Sequence, residues 1–447
     1  MIKIITYGTY DLLHIGHIRL LERAKALGDY LIVGVTADGF DKSRGKINIQ
    51  QSLMERIENV RSTGLADEII VEEYEGQKID DIKRLGIDIF TVGSDWEGHF
   101  DYLKKYCKVV YLERTANISS SEIRAEKREI KLGLIGDVEL LNKFEVECGY
   151  VNGIIVTGIC TNDLTKYSER IKNLPIVTNE LNHLLSNVDA VYIVTNPTDS
   201  YSIIKQVLLQ YKHVLCEAPI TISLKQWTEL QCLAKDNNCV LMDAIKTAYS
   251  TAYYRLLLLV KSRIIGDVVS VDTVCTSLRN LEQEKETPKT STWNSICSWG
   301  PTAMLPIFQI LGNNYQTYQI TSCIINEENM FDAFTKITFV YPHAVASLKV
   351  GKGIKSESEL IISGTKGYIY VPAPWWKTDY FEVRYENPVN NKRYFYQLNG
   401  EGIRYELVTF VKEIKSRKNL FHVNLSDSMN IVKMIESFYN RQNFIQL

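Results

Sequence analysis

Residues 6–17 read Thr-Tyr-Gly-Thr-Tyr-Asp-Leu-Leu-His-Ile-Gly-His, and this stretch decides how the first part of the chain folds. It overlaps residues 2–6, a short apolar run rich in β-branched residues that is typical of a buried parallel strand. Gly8 permits a tight turn close to a ligand. His14 and His17 are three residues apart, so on a helix they share one face near its N-terminus. Because a helix N-terminus presents unbonded N–H groups and the positive end of the helix dipole, the pattern predicts a phosphate site.

Two histidines at this spacing also have an ordinary interpretation. Alone, such a pair most often marks polar residues on the solvent face of an amphipathic helix. Here the pair follows a strand pattern and a Gly-Thr turn, and this context favours a ligand site. Gly16 between the two imidazoles leaves room for a bulky anion.

The composition excludes several classes of protein. The chain has 447 residues, of which 45% are apolar, and this length predicts about three domains. A net charge of −2 argues against nucleic-acid binding, and the apolar runs are too short to predict membrane insertion. Nine cysteines without a Cys-x-x-Cys pair predict reduced thiols and no structural zinc. No stretch resembles a signal peptide, so we expect a cytoplasmic protein.

Strand and helix patterns alternate through residues 1–128. Strand patterns lie at residues 2–6, 30–36, 68–71, 87–92 and 108–112, and helix patterns at residues 16–27, 52–63, 79–85 and 102–106. Such alternation is typical of a parallel sheet with helices on both faces. Ligands of these sheets bind beyond the carboxyl ends of the strands. Residues 8–17 fall at such an end, and so do residues 93–98, which read Gly-Ser-Asp-Trp-Glu-Gly.

Two further stretches carry groups that suit phosphate. A polar loop at residues 42–46 contains three basic side chains, and it is either solvated surface or a clamp for phosphate oxygens. Residues 114–124 begin with Arg114, follow a strand and open a helix. Ser119 and Glu122 have the spacing of a capping box, so part of this motif is structural. A second helix N-terminus with nearby hydroxyls would also hold phosphates.

Five pieces of this segment resemble the glycerol-3-phosphate cytidylyltransferase family, in family order. They lie at residues 5–17, 20–25, 93–98, 110–112 and 114–120. The resemblance implies an α/β, Rossmann-like nucleotidyltransferase domain that joins CTP to glycerol 3-phosphate or a related polyol phosphate. It also implies Mg²⁺, a homodimer, and a CDP-polyol product destined for a surface polymer such as teichoic acid or capsule.

The same resemblance assigns roles to individual residues. It implies that catalysis depends on four side chains, namely His14, His17, Lys46 and Arg114. It places nine residues in the nucleotide pocket, namely Gly8, Thr9, Tyr10, Asp11, Asp95, Trp96, Thr115, Ser119 and Ser120. We expect no metal ligand from a protein side chain.

One departure from this family concerns the acceptor. The family has an arginine directly before its third strand, in a region where this chain has Gly64. Arg61, one helical turn earlier, is a candidate substitute. Glycerol, ribitol and other polyol phosphates therefore stay open as the acceptor.

A second α/β pattern begins after the charged residues 125–129. Five strand patterns between residues 130 and 243 predict a second Rossmann domain over residues 129–247. Strand patterns with few crossovers between residues 268 and 371, flanked by helices, predict an α+β open-sheet domain over residues 248–447. Residues 212–219, 241–246, 264–271, 361–368 and 400–406 resemble the Gfo/Idh/MocA-type oxidoreductases, which implies NADP or NAD as a cofactor.

Three features depart from that second family. Val138 stands where the dinucleotide fingerprint has its second glycine, and Asp137 places a negative charge beside it. Ala218 replaces the lysine that contacts nicotinamide and substrate in the family, and residues 300–302 lack its later tyrosine or histidine. The candidate site residues that remain are Gly136, Thr161, Asn162, Glu217, Pro219 and Lys246. The pair after the second strand, Thr161 and Asn162, suits NADP better than NAD.

Two functions fit this second segment. It is either a degenerate oxidoreductase fold kept for dimerisation or for binding a sugar or nucleotide, or a reductase that makes the polyol phosphate from a ketose phosphate. Lys246 is the candidate acid in the second case. The lost family features favour the degenerate fold. A third hypothesis, a non-catalytic nucleotide sensor, is disfavoured by the complete set of phosphate-binding residues in the first segment.

Overall fold

The chain forms two compact units, Met1–Glu129 and Ile130–Leu447. The computed structural model describes residues 1–37, 49, 51–74, 76–113, 129–279, 294–396, 398, 400–416 and 422–447. Within these residues, no helix has the length and apolar character that a membrane span requires.

The first unit is built on a five-stranded sheet with the strand order β3-β2-β1-β4-β5, and all its pairings are parallel. The strands are β1 (Lys3–Gly8), β2 (Tyr30–Thr36), β3 (Glu68–Glu72), β4 (Ile89–Gly93) and β5 (Lys108–Leu112). The described α-helices are α1 (Ile15–Lys25), α2 (Leu53–Ser62) and α3 (Gln77–Leu85). Short 3₁₀ helices at Ser94–Trp96 and Asp101–Lys105 follow β4.

Two apolar clusters cover the two faces of this sheet. Successive residues of a strand point to opposite faces. Ile4 therefore packs with Leu21 in one cluster, and Ile5 packs with Ile82 and Phe90 in the other. Both isoleucines are fully buried, and the apolar run at the start of the chain is the centre of the unit.

The order in which the chain adds strands to the sheet reverses at β1. From β1 the chain passes to β2 and β3 on one side, and it then returns to β4 and β5 on the other. In parallel sheets, the crevice beyond the carboxyl ends of the strands at such a switch point is the usual ligand site. Thr6 of β1 pairs with Thr91 of β4, so the two strands end side by side at Gly8 and Gly93.

The second unit begins with a six-stranded parallel sheet in the order β11-β10-β9-β6-β7-β8. Its strands are β6 (Ile130–Gly136), β7 (Ile154–Cys160), β8 (Ile176–Thr178), β9 (Ala190–Val194), β10 (His213–Glu217) and β11 (Leu241–Ala244). The helices are α4 (Val138–Cys148), α5 (Glu169–Lys172), α6 (Leu181–Leu185), α7 (Pro197–Leu209) and α8 (Leu224–Asp236).

The rest of this unit is a nine-stranded mixed sheet in the order β19-β18-β17-β16-β12-β15-β14-β13-β20. Its strands are β12 (Val268–Thr276), β13 (Thr317–Asn326), β14 (Phe331–Val340), β15 (Val345–Gly351), β16 (Leu360–Gly364), β17 (Tyr368–Val371), β18 (Tyr380–Arg384), β19 (Lys392–Phe395) and β20 (Phe444–Gln446). The helices of this part are α9 (Thr251–Lys261), α10 (Ser295–Leu311), α11 (Ile403–Ser416) and α12 (Leu425–Tyr439).

The C-terminal helix α12 links the two halves of the second unit. Trp227 of α8 donates its indole N–H to Ser428 of α12 at 2.9 Å, and Ser428 donates to Asp243 of β11 at 2.7 Å. Helix α10 contacts α12 and covers strands of the nine-stranded sheet, where Ile337 and Leu348 are fully buried. Helix α12 therefore contacts elements of both halves of the second unit.

The fold class expected from the sequence is confirmed, because two parallel Rossmann-like sheets precede a mixed open sheet. The expected helix at residues 102–106 is wrong in type, since Asp101–Lys105 forms a 3₁₀ helix. A segment of five residues is too short to stabilise regular α-helical turns. The sequence interpretation also missed four short strands, namely β8, β18, β19 and β20.

Candidate functional site

The turn after β1 has a backbone that few sequences adopt. Tyr10 and Leu12 have φ values of 52° and 49°, in the left-handed region that non-glycine residues avoid. A Cβ on Gly8 would lie 3.0 Å from the ring of Tyr10, so the glycine lets this ring pack against the strand end. Tyr10 and Asp11 are both 2% exposed. The turn is therefore held by burial of its own side chains.

His14 is the N-cap of α1. Its backbone is extended, and its Nδ1 accepts a hydrogen bond from the Gly16 N–H at 3.1 Å. A ring nitrogen that accepts carries no proton, so the neutral imidazole has its proton on Nε2. The cap thus fixes which nitrogen of His14 can donate to a ligand.

His17 stacks on His14, as expected for two residues on one face of a helix. The ring centroids are 3.9 Å apart and the ring planes meet at 22°. Tyr10 contacts His17 edge-on, with the two ring centroids 5.5 Å apart. Both imidazoles are partly exposed, so they present polar edges at the N-terminus of α1.

A buried arginine of α2 ties the turn to the end of β2. Arg56 is fully buried, and its guanidinium donates to the carbonyls of Thr9 at 2.6 Å, Thr36 at 2.9 Å and Gln51 at 3.2 Å. Hydrogen bonds from a charged donor are stronger than neutral ones and hold geometry tightly. Arg56 therefore positions the backbone of Thr9, at the start of the histidine-bearing turn.

Gln51 holds the opposite side of the same turn. Its backbone N–H donates to Asp11 at 3.0 Å, and its side-chain oxygen accepts from the Leu12 N–H at 2.8 Å. Asn59 of α2 donates to the same oxygen at 3.1 Å. Neither Arg56 nor Gln51 was singled out from the sequence. A signal existed, because Arg56 shares a helical face with Leu53 and Val60.

A second buried network lies behind the strand ends. Glu72 accepts from the Thr36 hydroxyl at 2.9 Å and forms an ion pair with Lys78, and both charged groups are buried. The Tyr7 hydroxyl donates to Asp81 at 2.8 Å. Burial and the Asp81 hydrogen bond raise the pKa of Tyr7 far above its usual value. The contact between Thr36 and Glu72 fixes the end of β2.

The Gly93–Trp96 segment reaches the same edge of the sheet. Asp95 is exposed, and Trp96 is partly buried against Phe100, with ring centroids 5.8 Å apart. Because β4 lies beside β1, this carboxylate and indole follow the strand next to the histidine-bearing turn. The structure thus brings together two of the motifs that the sequence analysis selected.

Several candidate residues fall outside the described residues. These are Lys46 with the basic loop at residues 42–46, together with Arg114, Thr115, Ser119 and Ser120. Arg61 is described, and it forms an ion pair with Glu58 on the exposed side of α2. It lies near the end of that helix, five residues beyond Arg56. A role of Arg61 at the acceptor phosphate stays a prediction.

In the second unit, the corresponding turn is closed by the chain itself. The Asp137 carboxylate accepts from the N–H groups of Glu139 at 3.0 Å and Leu140 at 3.2 Å, at the N-terminus of α4. A cofactor pyrophosphate binds such N–H groups in a dinucleotide-binding Rossmann fold. Gly136 has a φ of 123°, and a Cβ there would meet the Val194 carbonyl at 1.8 Å. The glycine therefore serves the packing of β6 on β9.

The other expected residues of this unit also take part in internal contacts. Thr161 closes a local turn with Asp163, and the neighbouring Asn162 is exposed. Glu217 accepts from the buried Tyr192 hydroxyl at 2.5 Å. Burial, opposed by that hydrogen bond, raises the pKa of Glu217. Pro219 is buried.

The contacts of this unit do not fit a bound dinucleotide. Asp137 occupies the amide groups that would hold the pyrophosphate, and its negative charge would repel it. Val138 adds a side chain at the position where close approach of the cofactor requires glycine. Lys246 forms an ion pair with Glu401 at 3.3 Å, and its charge also acts on Glu217, in the motif that has Ala218 in place of the family's lysine.

The parallel sheet of the first unit, with imidazoles at a helix N-terminus beside its switch point, defines a nucleotidyltransferase domain. Residues 5–126 match the family described as cytidylyltransferase-like. A glycerol-3-phosphate cytidylyltransferase of Bacillus spizizenii is 48% identical over 126 residues, which are 28% of this chain and 97% of that protein. One of Staphylococcus aureus is 46% identical over 130 residues, covering 28% and 95% of the two chains. Through its first unit, the chain belongs to the glycerol-3-phosphate cytidylyltransferase family.

The second unit has the Gfo/Idh/MocA oxidoreductase fold. Residues 142–244 match the family described as oxidoreductase family, NAD-binding Rossmann fold. A 3-ketoreductase of Actinomadura kijaniata, solved with NADP and TDP-benzene, aligns with a TM-score of 0.61 over 72% of this chain and 100% of its own, at 14% identity. An oxidoreductase of Agrobacterium radiobacter, solved with NAD⁺, L-tartaric acid and magnesium, gives 0.58 over 70% and 96%, at 15% identity. At such identity these similarities establish the fold alone.

Proposed function

We propose that the first unit transfers the cytidylyl group of CTP to glycerol 3-phosphate, or to a related polyol phosphate, and releases pyrophosphate. The observation that carries the proposal is the pair of stacked imidazoles at the N-terminus of α1, with His14 held so that Nε2 can donate. The names of the relatives, which match this unit over nearly their whole length, supply the substrates.

The chemistry follows from the charges of the reactants. An acceptor phosphate oxygen attacks the α-phosphorus of CTP in line, and pyrophosphate leaves. The nucleophile is already ionised, so the step requires no general base. Both reactants are polyanions, so catalysis depends on positioning and on neutralising charge in the transition state. His14 and His17 donate to phosphate oxygens, while Arg56 and Gln51 hold the turn that carries them.

The remaining site residues are part of the same proposal. Lys46 and Arg114 would neutralise phosphate charge, and the pocket would take Gly8, Thr9, Tyr10, Asp11, Asp95, Trp96, Thr115, Ser119 and Ser120. Among the described residues, no group of three potential ligands could hold a metal ion. Mg²⁺ commonly binds through phosphate oxygens and water, so it fits this site as a partner of the triphosphate that offsets its charge.

The wider setting of the enzyme is also proposed. The domain limits at residues 1–128, 129–247 and 248–447, a homodimer and a cytoplasmic location agree with the family resemblance. A CDP-polyol is an activated donor, so a later enzyme would transfer its polyol phosphate to a surface polymer such as teichoic acid or capsule.

The test of the first unit is a turnover assay of the full chain with CTP and glycerol 3-phosphate, with ribitol 5-phosphate as the competing acceptor. Pyrophosphate release and the CDP-polyol are both measured. We expect His17→Ala to lose about 3 kcal/mol or more of transition-state stabilisation, which is the effect of removing one preorganised donor. Near-normal turnover by this variant would contradict the assignment.

For the second unit we propose a domain without redox activity. Asp137 carries this proposal, because its carboxylate takes the place of the cofactor pyrophosphate. We expect no change in NADPH or NADH fluorescence up to about millimolar cofactor, and binding by Asp137→Gly would identify the carboxylate as the block. Micromolar binding by the wild type would instead support the alternative, a reductase that supplies the polyol phosphate from a ketose phosphate, with Lys246 as its acid.

A further inference from the structure

Three lysines of the second unit converge on a single carboxylate. Glu401 forms ion pairs with Lys143 at 2.7 Å, Lys377 at 2.9 Å and Lys246 at 3.3 Å. Lys143 belongs to α4, and the other two lie in short 3₁₀ helices at Lys246–Tyr249 and Trp375–Lys377. Distant segments of the chain thus deliver their ammonium groups to one place, which we call the lysine cluster.

The lysine cluster has more positive charge than its carboxylate can balance. Three ammonium groups surround one carboxylate, and their side chains are between 26% and 43% exposed. Burial alone would raise the pKa of Glu401, but hydrogen bonds from Lys143 and Lys377 and the charge of Lys246 lower it to about 2. The carboxylate is therefore ionised at neutral pH, and two positive charges remain uncompensated within the cluster.

Two further carboxyl groups, the partly buried Glu217 and the buried Glu406, adjoin the cluster. Glu217 and Glu406 both interact with Lys246, and burial raises the pKa of each. Their mutual repulsion raises the pKa of Glu406 further. Glu406 is 2% exposed, and its Oε2 has no hydrogen-bond partner among the described residues. These two groups therefore offset less of the positive charge than two ionised carboxylates would.

Aromatic side chains line the region next to the lysines. The rings of Trp299 and Trp376 lie 4.9 Å apart, and both are partly exposed. Trp376 directly precedes Lys377, and its carbonyl accepts from Thr247, the residue after Lys246, at 3.2 Å. Indole faces beside cationic groups suit a ligand that has a polyol, sugar or base next to a phosphate.

The backbone at Glu401 is strained. Its φ is 52°, a left-handed value that costs about 1 kcal/mol or more for a residue other than glycine. Such strain persists only where the surroundings enforce it, and here three ion pairs do so. An anion that attracts the same lysines would compete with Glu401 for them.

We propose that the lysine cluster is a non-redox binding site for a phosphate ester of a polyol or nucleotide, and that Glu401 acts as an internal counter-ion which the ligand phosphate displaces. A phosphate monoester carries a charge of nearly −2 at neutral pH, which is opposite in sign to the excess charge of the cluster. The ligand classes are those of the acceptor and the product of the first unit. The inference rests on the proposed function only in the choice of the ligands to be tested.

The experiment is calorimetric titration of the full chain with glycerol 3-phosphate and with CDP-glycerol, and glycerol serves as the phosphate-free control. Three proteins are compared, namely the wild type, Glu401→Gln and Lys143→Gln/Lys377→Gln. We expect Glu401→Gln to bind one phosphate probe at least about tenfold more tightly than the wild type, because the competing carboxylate is neutralised. The double lysine variant should lose that same binding site, and glycerol should give no heat with any protein.

The comparison separates this inference from the proposed function. The first unit contributes equally to all three isotherms, so only differences among the variants report on the lysine cluster. Tighter binding by Glu401→Gln cannot result from misfolding. Identical isotherms for all three proteins with both probes would overturn the inference. A failure of the proposed function would appear separately, as an absence of CDP-glycerol formation by the wild type.

Discussion

The double role of His14 leads to a prediction that separates stability from catalysis. Its Nδ1 caps α1 by accepting from the Gly16 N–H, which leaves Nε2 to donate to phosphate. Asparagine places its side-chain oxygen close to the position of Nδ1 and has no group at the position of Nε2. His14→Asn should therefore keep the cap and lose the donor, whereas His14→Ala should lose both.

The expected magnitudes follow from these two contacts. Loss of an N-cap acceptor costs about 1 kcal/mol, so His14→Ala should lower the free energy of unfolding by about that amount. His14→Asn should stay within about 0.5 kcal/mol of the wild type. Loss of one preorganised donor to the transition state costs roughly 100- to 1000-fold in turnover, and both variants should show it.

Urea unfolding and a pyrophosphate-release assay measure the two effects on the same preparations. The reasoning is refuted if His14→Asn retains wild-type turnover, because Nε2 would then have no part in the reaction. It is equally refuted if the asparagine variant is as unstable as the alanine variant, because His14 would then not act as a cap that asparagine can replace.

Two further predictions concern stability. Arg56→Met leaves the carbonyls of Thr9 and Thr36 without their buried donor, so it should lower the free energy of unfolding, measured with urea, by about 3 kcal/mol. The control variant Arg61→Met removes an exposed ion pair and should lower this free energy by about 0.5 kcal/mol or less. Equal losses would contradict the positioning role of Arg56. Burial raises the pKa of Asp332 from 3.8 to about 6. As the pH rises, the unfolded state therefore releases this proton before the folded state does. The free energy of unfolding of the wild type should fall by up to about 3 kcal/mol between pH 4 and pH 7. In Asp332→Asn this part of the pH dependence should be absent. If the variant keeps the wild-type pH profile of the free energy of unfolding, the prediction is refuted.

The sequence predicts well those elements that are continuous apolar runs between clear turns. The expected strands at Tyr30–Thr36 and Lys108–Leu112 match the structure residue for residue. The first of these strands is almost wholly buried, and both contain β-branched residues, so local pattern and tertiary packing favour the same structure.

The missed strands lack that agreement. Strand β19 reads Lys-Arg-Tyr-Phe and lies at one edge of the nine-stranded sheet, while β20 at the other edge has three residues. Edge strands are short and often charged, and their pairing is decided by a partner that is distant in sequence. Helix α10 contains Pro301 and Pro306, which weaken a local helical pattern.

The candidate site shows the same division. The pairing of His14 with His17 on one helical face follows from their spacing, and the structure stacks them. The N-cap role of His14 and the carbonyl contacts of Arg56 depend on the path of the turn, which the spacing of residues does not specify. In the second unit, the sequence indicated a negative charge at Asp137, but only the structure shows that its carboxylate caps α4.

The most direct test of the central claim is a ³¹P nuclear magnetic resonance measurement of the purified full chain with CTP, glycerol 3-phosphate and Mg²⁺. The account predicts that the resonances of CTP are replaced by those of pyrophosphate and a CDP-polyol, and that His17→Ala slows this conversion by about 100-fold or more. An unchanged spectrum from a folded protein that binds CTP, with both glycerol 3-phosphate and ribitol 5-phosphate as acceptors, would contradict the account.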